Sequence, residues 1–238
     1  MAKELIFVAD DFGMNSEIND AILHAHLFGH LDGAAIMMAQ HATDDAVEKA
    51  RAHPSLQIGW HLHLNDSIPA TIDRWPWGSS PARAGFSIGL SRNSRELMRN
   101  EVARQWELFR DTGLECRFIN SHHHLHAHPF VYRALLEVVG PRFHGWIRLG
   151  KPCAFRSSSF SLLWSALERI YLARRRRLSA WRSTDTLWGV RPRLTAEDVR
   201  AIIATLPDGF HEFLFHPRTC SCPDTLCLIQ LKSSLPRS

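Results

Sequence analysis

Asp10 and Asp11 in FVADDFG, His61 and His63 in IGWHLHL, His122, His124 and His126 in INSHHHLHAHP, and His216 in FLFHP each sit at or just beyond the end of a short apolar run. Carboxylate oxygen and imidazole nitrogen are the donors that Zn2+, Mg2+, Mn2+ or Co2+ accept. One Asp with two His leaves coordination positions for water and substrate. Open positions point to catalysis, because a structural zinc is closed by four protein ligands. Successive side chains of a strand face opposite ways, so Asp10 and Asp11 are not expected to chelate one ion together. One should bind metal while the other orients a ligand or takes a proton from water. His63, His124 and His126 alternate with the stronger candidates and read as supports for the ligands or as substrate contacts.

Such residues share a site only if the fold gathers the ends of distant segments. The chain supplies those segments in a repeating order of apolar run, turn and helical pattern. Strand-like runs lie at Glu4–Ala9, Gly33–Ala39, Leu56–Leu64, Cys116–Asn120, His144–Leu149 and His211–His216. Helical spacing recurs after Ser16, over Asp44–His53, Ser94–Gly113, Pro129–Val139, Phe160–Leu178 and Thr195–Leu206. This order predicts an α/β fold with about six or seven mainly parallel strands, as a closed or distorted barrel or an open doubly wound sheet. In either, loops after the carboxyl ends of the strands converge on one mouth, and the Asp and His residues fall there. Residues 65–92 are rich in Pro, Gly, Ser and Trp and read as a long irregular substrate loop, with Trp75 and Trp77 as platforms for a sugar ring.

At 238 residues and 45% apolar content the chain is long enough for one large core. The first ten residues lack the run and cleavage site of a signal peptide, and no stretch nears the roughly 20 apolar residues of a membrane span. A soluble cytoplasmic protein is the expectation, with a homodimer admitted. Five cysteines form no disulfide framework, and Cys220, Cys222 and Cys227 match no common zinc spacing. The net charge is +4, and its dense basic run, Ala173–Leu178, reads as a solvated helix face rather than a nucleic-acid contact. No Arg or Lys accompanies the motif residues at the strand ends, which weighs against a phosphate-bearing substrate.

Taken in order, ADDFG at Ala9–Gly13, GWHLHL at Gly59–Leu64, SHHHLH at Ser121–His126 and the late His216–Pro217 resemble the YdjC-like carbohydrate deacetylases. FRDTG before the fourth strand and HAHPFVYRALL after it look closest to the hopanoid-associated subgroup. The resemblance implies a distorted (β/α) barrel catalytic domain over residues 1–218 and an atypical tail over 219–238. It implies Asp11, His61 and His122 as ligands of a divalent ion, Mg2+ or Zn2+, with Asp10 as base and His216 as acid. The implied substrate is an N-acetylated saccharide or glycolipid, from which an acetyl group is removed. Two departures stand out. Trp60 replaces a smaller aliphatic residue, and the sequence after Arg218 does not resemble the family's closing helix, whose loss would expose barrel surface. A catalytically inactive sugar-binding barrel and another metal-dependent hydrolase, such as a phosphoesterase, are the competing readings.

Overall fold

A computed structural model describes residues 2–141, 143–153, 181–190 and 193–234. The helix expected over Phe160–Leu178 and its basic run lie outside the described residues. Nine strands among the described residues form one sheet: β1 (Lys3–Phe12), β2 (Gly33–Ile36), β3 (Gln57–Leu62), β4 (Phe118–Ser121), β5 (Trp146–Ile147), β6 (Lys151–Pro152), β7 (Arg182–Ser183), β8 (Thr186–Trp188) and β9 (Gly209–Phe215). Their order is β6-β8-β9-β1-β2-β3-β4-β5-β7, and every pairing is parallel. The count exceeds six or seven because the sheet is broken into two- and three-residue pieces far from β1. The two halves are bridged by one short segment: β7 pairs with β5, and β8, three residues on, pairs with β9. The result is the expected distorted barrel.

Helices α1 (Ser16–Phe28), α2 (Thr43–Ala52), α3 (Pro81–Leu90), α4 (Arg92–Asp111), α5 (Pro129–Val139), α6 (Ala196–Thr205) and α7 (Pro223–Lys232) accompany the sheet. Local sequence explains their ends. Asn15 caps α1 by accepting from the Ile18 amide at 2.9 Å, and Thr195 with Asp198 forms a capping box on α6. Two helices depart from expectation. Residues 65–92 contain α3, because Ser80 caps it and Pro81 falls in its first turn, where a missing N–H costs nothing. The tail contains α7, which opens on Pro223 and buries Cys227, Leu228 and Leu231 while packing on α1 and α6.

Strand alternation divides the core. Ile6, Val8, Ala35, Phe118, Trp146 and Phe210 form an inner cluster, whereas Phe7, Ala9, Ile36, Trp60 and Leu62 pack with the helices. Trp60 therefore lies not behind His61 but against Trp106 of α4, ring centres 5.2 Å apart. Gly59 has no room for a side chain, since a Cβ there would sit 2.3 Å from the Phe118 ring.

Candidate active site

The site begins with an irregularity in β1. Ala9 faces Ala34 and Phe12 faces Ile36 on β2, so three steps along β1 match two along its neighbour. Asp11 absorbs the extra residue in the left-handed region, at φ 68°. Strict alternation fails at this bulge, and both carboxylates reach His61. Asp10 Oδ1 lies 3.8 Å from its Nδ1 and Asp11 Oδ1 lies 3.4 Å from its Nε2.

Directly after β4 comes His122, whose Nδ1 donates to Asp11 Oδ1 at 2.9 Å. Asp11, His61 and His122 thus offer ligand atoms all within 4.8 Å of one another, and all three residues are buried. His61 Nδ1 donates to the Asn120 side-chain oxygen at 2.6 Å, which leaves the lone pair on Nε2. Asp11 Oδ2, His61 Nε2 and His122 Nε2 are buried without a hydrogen-bond partner. Buried polar atoms without hydrogen bonds are costly, and a cation held by this group of residues would satisfy them. The donor set fits a divalent ion with open positions. Arg218 Nη2 stands 3.0 Å from Asp11 Oδ2, near enough for attraction but not aligned as a hydrogen bond.

Asp10 faces a different partner. Arg148, fully buried after β5, donates through Nη1 to Asp10 Oδ2 at 2.6 Å and through Nη2 to Oδ1 at 2.9 Å. Asn120 Nδ2 adds a donor to Oδ1 at 2.9 Å, and Arg148 Nε donates to Glu212 Oε1 of β9 at 2.7 Å. Burial alone would raise the Asp10 carboxyl, but the Arg148 charge, then that of His61, hold it well below the usual carboxylate range. Asp11 is likewise held low against burial, chiefly by its bond from His122. Burial pushes Glu212 up even with Arg148 beside it.

His216 follows β9 next to Asp10, since Ala9 pairs with Phe215. Burial holds its imidazole below the ordinary histidine range despite Asp10 and Asp11, so it rests neutral. Two of the remaining expected contacts, His63 and His126, are engaged internally. His63 has both ring nitrogens engaged, Nε2 to the Met38 carbonyl at 2.8 Å and Nδ1 to Ser67 Oγ at 2.9 Å. His126 is spanned by Ser121 Oγ at 2.8 Å and the Arg148 carbonyl at 2.6 Å. It holds the backbone of Arg148 rather than a substrate. His124 is half-buried, and its ring lies 6.1 Å from that of His126. Trp75 and Trp77, expected as sugar platforms, are 7% and 5% exposed and stack on each other at 5.7 Å. Their indole N–H groups donate to the carbonyls of Ser67 and Leu64, so they organise the loop instead of facing solvent. That loop is fastened to α4 by buried Glu101, which accepts from the amides of Ala70 at 2.7 Å and Thr71 at 3.0 Å.

Sequence reasoning passed over Asn120, Arg148, Glu212 and Arg218. The first three stand two positions after Phe118, Trp146 and Phe210 of the inner cluster, so alternation was the signal. Arg148 and Arg218 also correct the expectation that no cation reaches the strand ends.

The family model described as YdjC-like protein matches residues 4–233. A carbohydrate deacetylase of Vibrio vulnificus strain CMCP6 is 35% identical over 128 residues, 53% of this chain and 51% of that one. A carbohydrate deacetylase of Brevibacillus brevis is 34% identical over 137 residues, 57% and 55% of the two chains. The chain spans about half the length of the curated relatives it matches. A crystal structure from Enterococcus faecalis V583, named for cellobiose-phosphate cleavage, superposes with a TM-score of 0.69 at 20% identity over 96% of this chain and 91% of that one. That likeness is one of fold.

Proposed function

This chain belongs to the YdjC-like family, and from that premise we propose that it is a divalent-metal-dependent hydrolase removing an acetyl group from an N-acetylated saccharide or glycolipid. The observation that carries the reading is the grouping of buried Asp11, His61 and His122, with ligand atoms within 4.8 Å of one another, beside Asp10. An ion held there supplies Lewis-acid polarisation of the acetyl carbonyl and acidifies the attacking water.

The chain's own residues do the rest. Asn120 fixes the His61 tautomer that presents Nε2. Asp10 stays ionised and receives the proton of the attacking water, its basicity moderated by Arg148 and Arg148's charge shared with Glu212. An amine leaves only when protonated, so His216 gains a proton and delivers it to the nitrogen. Resting neutral, it takes up a proton from solvent while Asp10 returns the proton of the attacking water to solvent, so the cycle needs no net proton.

Acetate release from a panel of N-acetylated saccharides tests the reading. Chelator should abolish it and added Mg2+ or Zn2+ restore it. His122→Ala should lose both bound metal and acetate release, and full activity in that variant would reject His122 as a ligand. A phosphoesterase is the second reading, favoured by the half-exposed Arg218 guanidinium at the mouth. Phosphate release from sugar phosphates without acetate release would select it. The inactive sugar-binding reading leaned on a missing closing helix, and α7 removes that support.

A further inference from the structure

A second group of ligand atoms adjoins the buried one and lies open to water. Asp66, in the loop after β3, and His123, the residue after His122, join His122 with ligand atoms all within 4.8 Å of one another. His123 Nε2 is 3.6 Å from Asp66 Oδ2, and the His122 and His123 rings are 4.1 Å apart. The Asp66 and His123 side chains are 55% and 37% exposed, against 2% and 1% for Asp11 and His61. His122 belongs to both groups. Its side chain is only 10% exposed, and its Nε2 has no hydrogen-bond partner.

We propose that Asp66 and His123, with His122, form an outer station that takes a divalent cation from solvent and passes it to Asp11 and His61. A neutral imidazole carries one lone pair, so a single His122 nitrogen cannot hold an ion in both groups at once. The two groups are therefore used in succession. A hydrated ion cannot enter a buried site without shedding water, and small divalent cations shed it reluctantly. At the outer station an exposed carboxylate attracts the ion and an imidazole replaces part of its water before His122 carries it inward. The relay rests on the metal-dependent reading above.

The test strips the full chain with chelator, adds Co2+ and follows its visible absorbance with time. The Asp66→Asn/His123→Asn variant should reach the wild-type amplitude and affinity but load about tenfold more slowly. Loading at the wild-type rate would overturn the relay and leave the inner site standing. No bound Co2+ in the wild type would sink the metal-dependent reading itself, and the relay with it. In Asp11→Asn, which disables the inner group, a weaker Co2+ should remain and disappear when His123→Asn is added. Its persistence in that double variant would also overturn the proposal.

Discussion

Arg148 joins the candidate base to the opposite side of the barrel, and its two carboxylates share one cation. Removing a single member of such a buried group leaves charge uncompensated, which costs about 3–5 kcal/mol. Arg148→Leu strands both Asp10 and Glu212 and should lose at least that much in urea unfolding. Glu212→Gln leaves the forked Arg148–Asp10 pair intact and should cost less, because Asp10 still compensates the guanidinium. Equal losses in the two variants would show that the guanidinium is not the hub. Arg148 was legible in principle, as Trp146 and Arg148 alternate like Phe118, Asn120 and His122. The position of Asp11 was not. Its inward turn depends on a bulge against β2, and register is a property of two segments rather than one.

Helix α7 shows how an element outside the Asp and His cluster positions a candidate catalytic side chain. Asp224, in its first turn, accepts from the His216 amide at 2.7 Å and pins the residue proposed as acid. Leu228 is fully buried, and its carbonyl accepts from the His30 amide at 2.9 Å. Gly29 makes that approach possible, since a Cβ there would lie 2.9 Å from the Leu228 backbone. Leu228→Ala should destabilise the fold by about 2–5 kcal/mol through loss of packing. Asp224→Ala should spare most stability yet lower kcat by about tenfold or more, because small misplacements of reacting groups are costly. Unchanged kcat with intact folding would detach α7 from the site. The repeating strand and helix patterns identified most of the barrel, but α3 and α7 were hidden. Pro, Gly, Ser and Cys mark loops by composition, and that masked the helix starts at Ser80–Pro81 and at Pro223.

Across the whole molecule, buried carboxylates, imidazoles and a guanidinium crown one end of an apolar barrel interior, and the cost of dehydrating them falls on the surrounding core. That core reaches from β1–β4 and their helices into α7 through Cys227, Leu228 and Leu231, and α7 itself leans on α1 and α6. Elements with fewer neighbours open at lower free energy than the rest. The cysteines report this opening directly. Cys227 on α7 is 4% exposed and its thiol is pushed up to about 12 by burial, so it is inert while the helix is docked. Cys222 moves the other way, because hydrogen bonds around Thr219 and Thr225 outweigh its burial and lower its thiol. In the native state a thiol reagent should modify Cys222 readily and spare Cys227. As urea rises, Cys227 should become reactive before the fluorescence of the buried tryptophans Trp60 and Trp146 changes. If Cys227 labelling and tryptophan fluorescence instead follow one transition, α7 is part of the barrel's single cooperative unit, and its removal from the site cannot occur without loss of the fold.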